Sequence, residues 1–372
     1  MNRPAILRLL QDVCVSSNKL PIQYKLDGVQ FNPRDRIATG GEAVIYRGMH
    51  NGHPVAVREI VPISRSEVPR EQIHSQVLRE VITQWQADHP NLLRIRGVFM
   101  EGDTPLIVLP YLHGGSPMQV LGKTGDSQKL SSMLQGIVSG LKHLHHHQPP
   151  IIHGDIHPDN FMLDENGVIV LGDFGLSRIR HAQNRTHTVD RSGGKDRYIA
   201  PELYAYQAQG RATEASDIYS LAMTFLALAT LEQPFSDIEF GRTAASAAKC
   251  GMRPAKPSKT QLLSGRQIDR LWPLFEKMWS HLPADRPSIA QVECELNTFV
   301  VPAFQREPFI RYSTNCRPDM TTFQGESFRG RVMSTAGVRL AGKLDGPGAG
   351  NPQPTADDMP MVQYPSTLST SP

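Results

Sequence analysis

Apolar and polar positions divide the chain into a strand-rich part and a helical part. From about residue 30 to 63 they alternate as in strands, with Gly40–Gly41 and Asn51–Gly52 as turn signals. A polar segment that favours a helix follows at 67–87. Strand patterns return at 92–99 and 105–112, after the HPN turn at 89–91.

Beyond residue 112 the pattern becomes helical. Five apolar residues of SSMLQGIVSGLKHLHHH lie on one helical face: Leu134, Ile137, Val138, Leu141 and Leu144. Further helices are predicted at 216–231, 265–281 and 287–300, and a weak one at 4–17. The order predicts an α+β fold with a small strand-rich lobe and a larger helical lobe. Residues 306–372 are rich in Pro, Gly, Ser and Thr, which predicts a disordered tail.

Composition excludes several classes of protein. A net charge of +3 without a Lys/Arg block argues against nucleic acid as a partner. The four cysteines lack CxxC spacing and suit reduced thiols. Arg8 and Asp12 interrupt the first apolar run, which speaks against a signal peptide. The longest apolar stretch, at 220–231, is too short to cross a bilayer and predicts a buried helix. We therefore expect a cytoplasmic protein without a membrane partner.

The strand HPVAVREI at 53–60 carries one unexpected charge. Side chains alternate between the faces of a strand, so Val55, Val57 and Glu59 share one face. Arg58 then lies on the opposite face, between the apolar Ala56 and Ile60. An arginine that reaches out to solvent is the simple alternative.

The segment IIHGDIHPDNFMLDENGVIVLGDFG at 151–175 places polar side chains around a hairpin. FML and VIVL predict two short strands, and Asn166–Gly167 between them predicts a tight turn. Because a hairpin brings its two ends together, Asn160 and Asp173 should lie close, as oxygen ligands that suit Mg²⁺. Asp155, in the loop before Asn160, is placed to accept a proton. The alternative for each acid is a solvated loop.

HGDIHPDN followed by DFG resembles the catalytic loop and metal-binding motif of the eukaryotic protein kinase family. APE at 200–202, SDIYSLAM at 216–223 and DRPS at 285–288 resemble later motifs of that family, in the same order. HGDIHPDN and LPIQYKLDGVQF also resemble the tyrosine-kinase-like group, in the form found in basidiomycete fungi. The resemblance implies the bilobal protein-kinase fold at 32–305, with lobes at about 32–112 and 113–305, after an N-terminal extension at 1–31.

The resemblance also assigns roles at the centre of the site. Asp155 would be the catalytic base, and Asn160 and Asp173 would hold Mg²⁺ on the phosphates of ATP. Arg58 would take the place of the family's third-strand lysine, whose partners are the phosphates and Glu80. Asp217 would anchor the catalytic loop, and Glu202 would pair with Arg286; both roles are structural.

The same resemblance implies the nucleotide pocket. IATGGEAVIY at 37–46 occupies the place of the glycine loop, where small residues let backbone N–H groups approach phosphates. Leu109 to Leu112 would be the hinge that meets adenine. The full set of implied nucleotide-binding residues is Ile37, Gly40, Gly41, Ala43, Ile45, Ala56, Arg58, Leu109, Tyr111, Leu112 and Met162.

Several positions depart from the family's pattern. Arg58 keeps a positive charge but is longer and planar, so it is not equivalent to lysine. Ala38 stands where the glycine loop usually begins. Gly154 replaces an arginine that usually receives an activation-loop phosphate, and Lys195 replaces a threonine.

These observations leave two main hypotheses. The first is a protein kinase that transfers phosphoryl groups to a protein substrate or signalling partner. Serine/threonine is favoured because the catalytic loop lacks the AAR or RAA typical of tyrosine kinases. The second is a pseudokinase, a binding or scaffold module on the same fold. A small-molecule phosphotransferase also shares HGDIHP, but APE, SDIYSLAM and DRPS argue against it.

Overall fold

The computed structural model describes residues 9–299 apart from 10–11, 15, 18, 40–42, 62–69, 174–177, 180–194 and 205–210. The predicted tail at 306–372 and the predicted turn at Gly40–Gly41 lie outside the described residues. The described residues between 9 and 17 are helical, which agrees with the weak helix predicted at 4–17.

The N-terminal lobe contains a six-stranded sheet, whose strands in spatial order are Lys25–Leu26 (β1), Gly97–Glu101 (β5), Thr104–Pro110 (β6), His53–Ile60 (β4), Ala43–His50 (β3) and Gln30–Thr39 (β2). β1 pairs with β5 in parallel, and the other pairs are antiparallel. Asn51 and Gly52 both have positive φ and form the predicted turn between β3 and β4.

Helix α1, Arg70–Gln86, packs against the inner face of this sheet, as predicted for residues 67–87. The strand predicted at 92–99 was wrong at its start, because β5 begins only at Gly97. Leu92 and Leu93 pair instead with Leu171 of the C-terminal lobe, and the Leu93 N–H donates to Leu171 O at 2.7 Å. Residues 92–96 thus connect the two lobes.

The C-terminal lobe is helical, as predicted. Its central helix, Glu214–Thr230 (α4), is buried along almost its whole length, which confirms the buried helix predicted at 220–231. No helix among the described residues is long and apolar enough to span a membrane. The helices are Pro117–Thr124 (α2), Ser127–His145 (α3), Glu214–Thr230 (α4), Gly241–Lys249 (α5), Gly265–Met278 (α6) and Ile289–Phe299 (α7).

Two short strand pairs lie beside these helices. Ile151–Ile152 (β7) pairs with Arg178–Ile179 (β10), and Phe161–Leu163 (β8) pairs with Ile169–Leu171 (β9). The predicted face of α3 is buried against this region and α4. The predicted α+β fold with a strand-rich first lobe and a helical second lobe is confirmed.

Candidate active site

Strand β4 sends its two faces into different cores. Val55 and Val57 belong to a cluster on the outer side of the sheet, with Val44 and Leu106. Ile60 belongs to the cluster that includes α1, and Ala56 packs against it. The alternation predicted from HPVAVREI is therefore confirmed, and it turns Arg58 towards α1.

Arg58 joins two carboxylates from different parts of the chain. Its Nη1 donates to Oε1 of Glu80 on α1, which confirms the predicted ion pair. Its Nη2 donates to Oδ1 of Asp173 at 2.9 Å. Arg58 and Glu80 are buried, whereas the Asp173 side chain is 39% exposed. Arg58 therefore does not reach out to solvent, since two separately placed N–H groups of one guanidinium hold both partners.

Asp217 of α4 anchors the loop 153–160. The backbone N–H groups of His153 and Gly154 donate to the Asp217 carboxylate at 2.9 and 2.8 Å, and His145 Nε2 lies 2.9 Å from Oδ2. Asp217 is 1% exposed. The anchoring contact implied by the resemblance is present, and three hydrogen bonds compensate the cost of burying this charge.

Gly154 has a reason to be glycine. Its φ is +76°, a left-handed conformation that a side chain disfavours. An arginine at this position would therefore strain the backbone that Gly154 adopts here.

Asp155 is held among polar neighbours. The Asn160 amide nitrogen donates to Asp155 O at 2.7 Å and lies 3.3 Å from Oδ2. Lys195 Nζ lies 4.0 Å and His157 Nε2 lies 3.6 Å from the same Oδ2. The carboxylate therefore has an amide, an ammonium and an imidazole around one oxygen.

The hairpin brings its two ends together as predicted. The Gly172 N–H donates to Asn160 O at 2.8 Å, and Asp173 follows directly. Because the Asn160 amide nitrogen faces Asp155, its Oδ1 is the atom of that side chain left for a cation. One amide oxygen and one carboxylate at a hairpin end fit a hard divalent ion that takes further ligands from water and phosphates. No group of three His, Cys, Asp or Glu residues in the described part of the chain forms a complete metal site.

The predicted pocket residues lie on adjoining strands. Ile45 is opposite Arg58 in the β3–β4 register, and Ala56 is opposite Leu109 in the β4–β6 register. Leu109 is buried, Leu112 packs against the same cluster, and Met162 on β8 is 38% exposed. Ile37 and Ala43 lie on β2 and β3, on either side of residues 40–42.

Tyr111 in the predicted hinge is fixed from the sheet. Arg47 Nη2 donates to the Tyr111 hydroxyl at 3.2 Å, and the guanidinium carbon lies 5.2 Å from the ring centre. The His113 ring stands edge-on at 4.6 Å. These contacts were not predicted, because Arg47 is 64 residues away and no motif marks it.

The second anchoring pair also exists. Arg286 donates to both oxygens of Glu202 at 2.7 Å, and its guanidinium stacks over Tyr219. Burial raises the pKa of Tyr219 to about 12, although Arg253 and Arg286 act in the opposite direction. The chain segment that ends at Glu202 is thus fixed to the helical lobe.

Arg197 is a further buried cation that sequence reasoning missed. It donates to four backbone carbonyl oxygens, of Pro234, Phe235, Ile238 and Glu239, at 2.6–3.0 Å. Backbone acceptors carry no residue type, so no signal in the sequence could have indicated these contacts.

A cavity of about 620 Å³ lies elsewhere, where the C-terminal end of α3 meets the starts of α4 and α7. Its buried polar side chains already have structural partners: His145 contacts Asp217, and Arg286 contacts Glu202. The convergence of Arg58, Glu80, Asp155, Asn160 and Asp173 marks the cleft between the lobes as the candidate active site.

Comparison with known proteins agrees with this geometry. A family model described as "Protein kinase domain" matches residues 31–296. The serine/threonine-protein kinase CTR1 of Arabidopsis thaliana is 28% identical over 270 residues, which cover 70% of this chain and 31% of that protein. STY17 of the same plant, also a serine/threonine-protein kinase, is 26% identical over 285 residues, or 75% and 46% of the two chains. The chain spans less than half the length of these two relatives.

Proposed function

Because this chain belongs to the protein kinase domain family, we propose that it transfers the γ-phosphoryl group of ATP to a hydroxyl group of a protein. Serine or threonine is the favoured acceptor, because the relatives are named serine/threonine-protein kinases. The catalytic loop HGDIHPDN lacks AAR and RAA, which supports the same preference. A protein substrate or signalling partner follows from this activity.

Further proposals concern placement and organisation. The motifs HGDIHPDN and LPIQYKLDGVQF support membership of the tyrosine-kinase-like group, of the type found in basidiomycete fungi. We place the kinase domain at 32–305, between the extension 1–31 and a low-complexity tail at 306–372. A cytoplasmic location is consistent with the composition.

The hydrogen-bonded unit formed by Asp155, Asn160 and the hairpin end carries the proposal. Asp155 accepts the proton of the substrate hydroxyl as the oxygen attacks the γ-phosphorus. The amide of Asn160 holds the backbone and carboxylate of Asp155, so that base and metal ligand keep one relative position. Lys195 Nζ lies 4.0 Å from Asp155 Oδ2 and places a positive charge beside the base.

Asn160 Oδ1 and the Asp173 carboxylate would hold Mg²⁺. The ion, when bound, neutralises charge on the phosphates during transfer. The buried guanidinium of Arg58 would contribute a positive charge at the same site. Its ion pair with Glu80 would hold the guanidinium in position beside the phosphates. The pocket residues from β2, β3, β4 and the hinge would enclose the adenine and ribose.

A pseudokinase is the alternative, and one contact favours it. The Arg58 guanidinium already occupies Oδ1 of Asp173, one of the two expected metal ligands. If this ion pair persisted in the presence of nucleotide, metal binding would be weakened and transfer would be slow. The chain would then be a nucleotide-binding or scaffold module.

The two functions are separated by measuring binding and transfer on the same preparations. We expect ATP with Mg²⁺ at ~100 times its Kd to stabilise the wild-type chain by about 2.7 kcal/mol in thermal unfolding. Transfer to a general protein substrate should be measurable for the wild type. Asp155→Asn should keep the stabilisation and lose transfer by about 10²–10⁴-fold, because only the base is changed.

Asp173→Asn is the companion variant, because it removes a metal ligand without removing the base. It should lower both the stabilisation by Mg²⁺ with ATP and the transfer rate. If the wild type binds nucleotide but transfers phosphoryl groups no faster than Asp155→Asn, the kinase proposal is wrong and the chain is a pseudokinase.

A further inference from the structure

Residues before the matched kinase domain are part of the N-terminal core. The family match begins at residue 31, yet Cys14, Tyr24 and Val29 are 4–6% exposed. Cys14 and Tyr24 belong to the same cluster of buried side chains as Val77 and Val81 of α1. This segment is therefore not a loose extension of the domain.

The segment also extends the sheet. β1, Lys25–Leu26, pairs in parallel with Val98–Phe99 of β5 and forms one edge of the sheet. The contact requires a glycine at position 97. A Cβ atom there would lie 2.6 Å from Tyr24 O and 2.7 Å from Leu26 Cγ, closer than atoms can approach.

Tyr24 connects the segment to helix α1. Its ring centre lies 4.6 Å from that of Trp85, with the planes tilted by 59°, a favourable arrangement of two aromatic rings. Trp85 lies on α1 five residues after Glu80. The same end of α1 is tied to the chain by Gln84, whose amide donates to Leu93 O at 2.6 Å.

We propose that residues 19–29, the N-terminal brace, hold α1 so that Glu80 meets Arg58, and that Tyr24 is the positioning residue. The proposal rests on the proposed function, in which the Arg58–Glu80 pair aligns the phosphates. Glu80 lies in the buried second half of α1, five residues before Trp85. The contact of Tyr24 with Trp85 therefore acts on the end of the helix that carries Glu80.

The test combines hydrogen exchange with phosphoryl transfer in the full chain. Tyr24→Ala should speed amide exchange in α1 by about tenfold, because local opening becomes easier. It should slow transfer by about tenfold through misplacement of Glu80.

Tyr24→Phe keeps the aromatic ring, so its exchange in α1 and its transfer rate should match those of the wild type. Ile22→Ala changes an exposed residue of the same segment and should alter neither. Exchange in α4 should stay at the wild-type rate in every variant, which shows that the fold is intact.

The Glu80→Gln background separates positioning from a general structural role. If Tyr24 acts through Glu80, Tyr24→Ala should slow transfer by less than about twofold once Glu80 is already changed, because the two effects are coupled. An equal loss in both backgrounds, or unchanged exchange in α1, would overturn the proposal. The exchange comparison needs no transfer, so a wild-type chain without kinase activity would count against the proposed function and not against the brace.

Discussion

The two lobes hold their parts of the site in different ways. In the C-terminal lobe the buried Asp217 receives two backbone N–H groups and a histidine, so the loop that carries Asp155 is fixed by three hydrogen bonds. In the N-terminal lobe a single guanidinium joins Glu80 and Asp173, which come from different lobes. The first arrangement is a rigid support. The second is a junction that depends on the shape of one side chain.

This difference separates stability from function. The buried contacts of Asp217 are lost mainly through local or global unfolding of the lobe. The junction at Arg58 can instead change while both lobes stay folded, since the Asp173 side chain is partly exposed. We therefore expect mutations of the C-terminal supports to lower stability, and mutations of the junction to lower phosphoryl transfer more than stability.

The largest effect is expected at Arg286. Arg286→Met leaves the Glu202 carboxylate without its bidentate partner and removes the hydrogen bonds to Ala215 O and Ser280 O. Breaking a buried pair of this kind should lower the free energy of unfolding by about 3–5 kcal/mol, measured by denaturant titration. Arg266→Met, at an exposed residue of α6, is the matched control and should change stability by less than about 0.5 kcal/mol. Similar stabilities for the two variants would show that the support is unimportant.

At Arg58, mutations should affect the stability of the chain and the rate of phosphoryl transfer differently. Arg58→Met leaves Glu80 buried without its cation and should destabilise the chain, whereas the double variant Arg58→Met/Glu80→Met should recover much of that loss. Transfer should fall by at least about 100-fold in both, because phosphate positioning is lost in both. Unfolding and transfer assays on the same samples provide the measurement. Recovery of transfer in the double variant would contradict the assigned role of Arg58.

The sequence predicted the features that depend on short stretches of chain. The alternation of HPVAVREI fixed the direction of Arg58, and Asn166–Gly167 fixed the hairpin that brings Asn160 to Gly172. The Arg58–Glu80 pair followed from resemblance to the kinase family. Each of these depends on local pattern or on a motif with recognisable residue types.

Features that depend on distant backbone atoms could not be predicted. The strand expected at 92–99 begins late because Leu93 bonds to Leu171, 78 residues away. Arg197 binds carbonyl oxygens, which every residue carries. The packing of Tyr24 on Trp85 joins a segment outside the recognised domain to a helix inside it, and neither residue belongs to a kinase motif.

A smaller loss of stability is expected when the pH is lowered, because of His89 and His143. Burial lowers the pKa of His89 and of His143, and the positive charge of a neighbouring histidine adds to each shift. Because the folded state then binds protons less well than the unfolded chain, stability is fully present above about pH 6.5 and is lost as pH falls through the lowered values.

This loss is measured as unfolding midpoints at several pH values between 7.5 and 5.5. His143→Gln, which cannot titrate, should flatten the decline, whereas His146→Gln at the exposed end of α3 is the control. Stability that rises on acidification, or an unchanged slope in His143→Gln, would argue against neutral histidines at this boundary.

Arg58→Lys tests most directly the claim that the site is built around arginine. It keeps the positive charge and removes the two separate guanidinium nitrogens that bind Glu80 and Asp173. The account predicts that transfer falls by about tenfold or more, because one ammonium cannot reproduce two separately placed N–H donors to Glu80 and Asp173. Stability should stay close to that of the wild type. Transfer by Arg58→Lys that equals or exceeds the wild-type rate would contradict a site built around arginine.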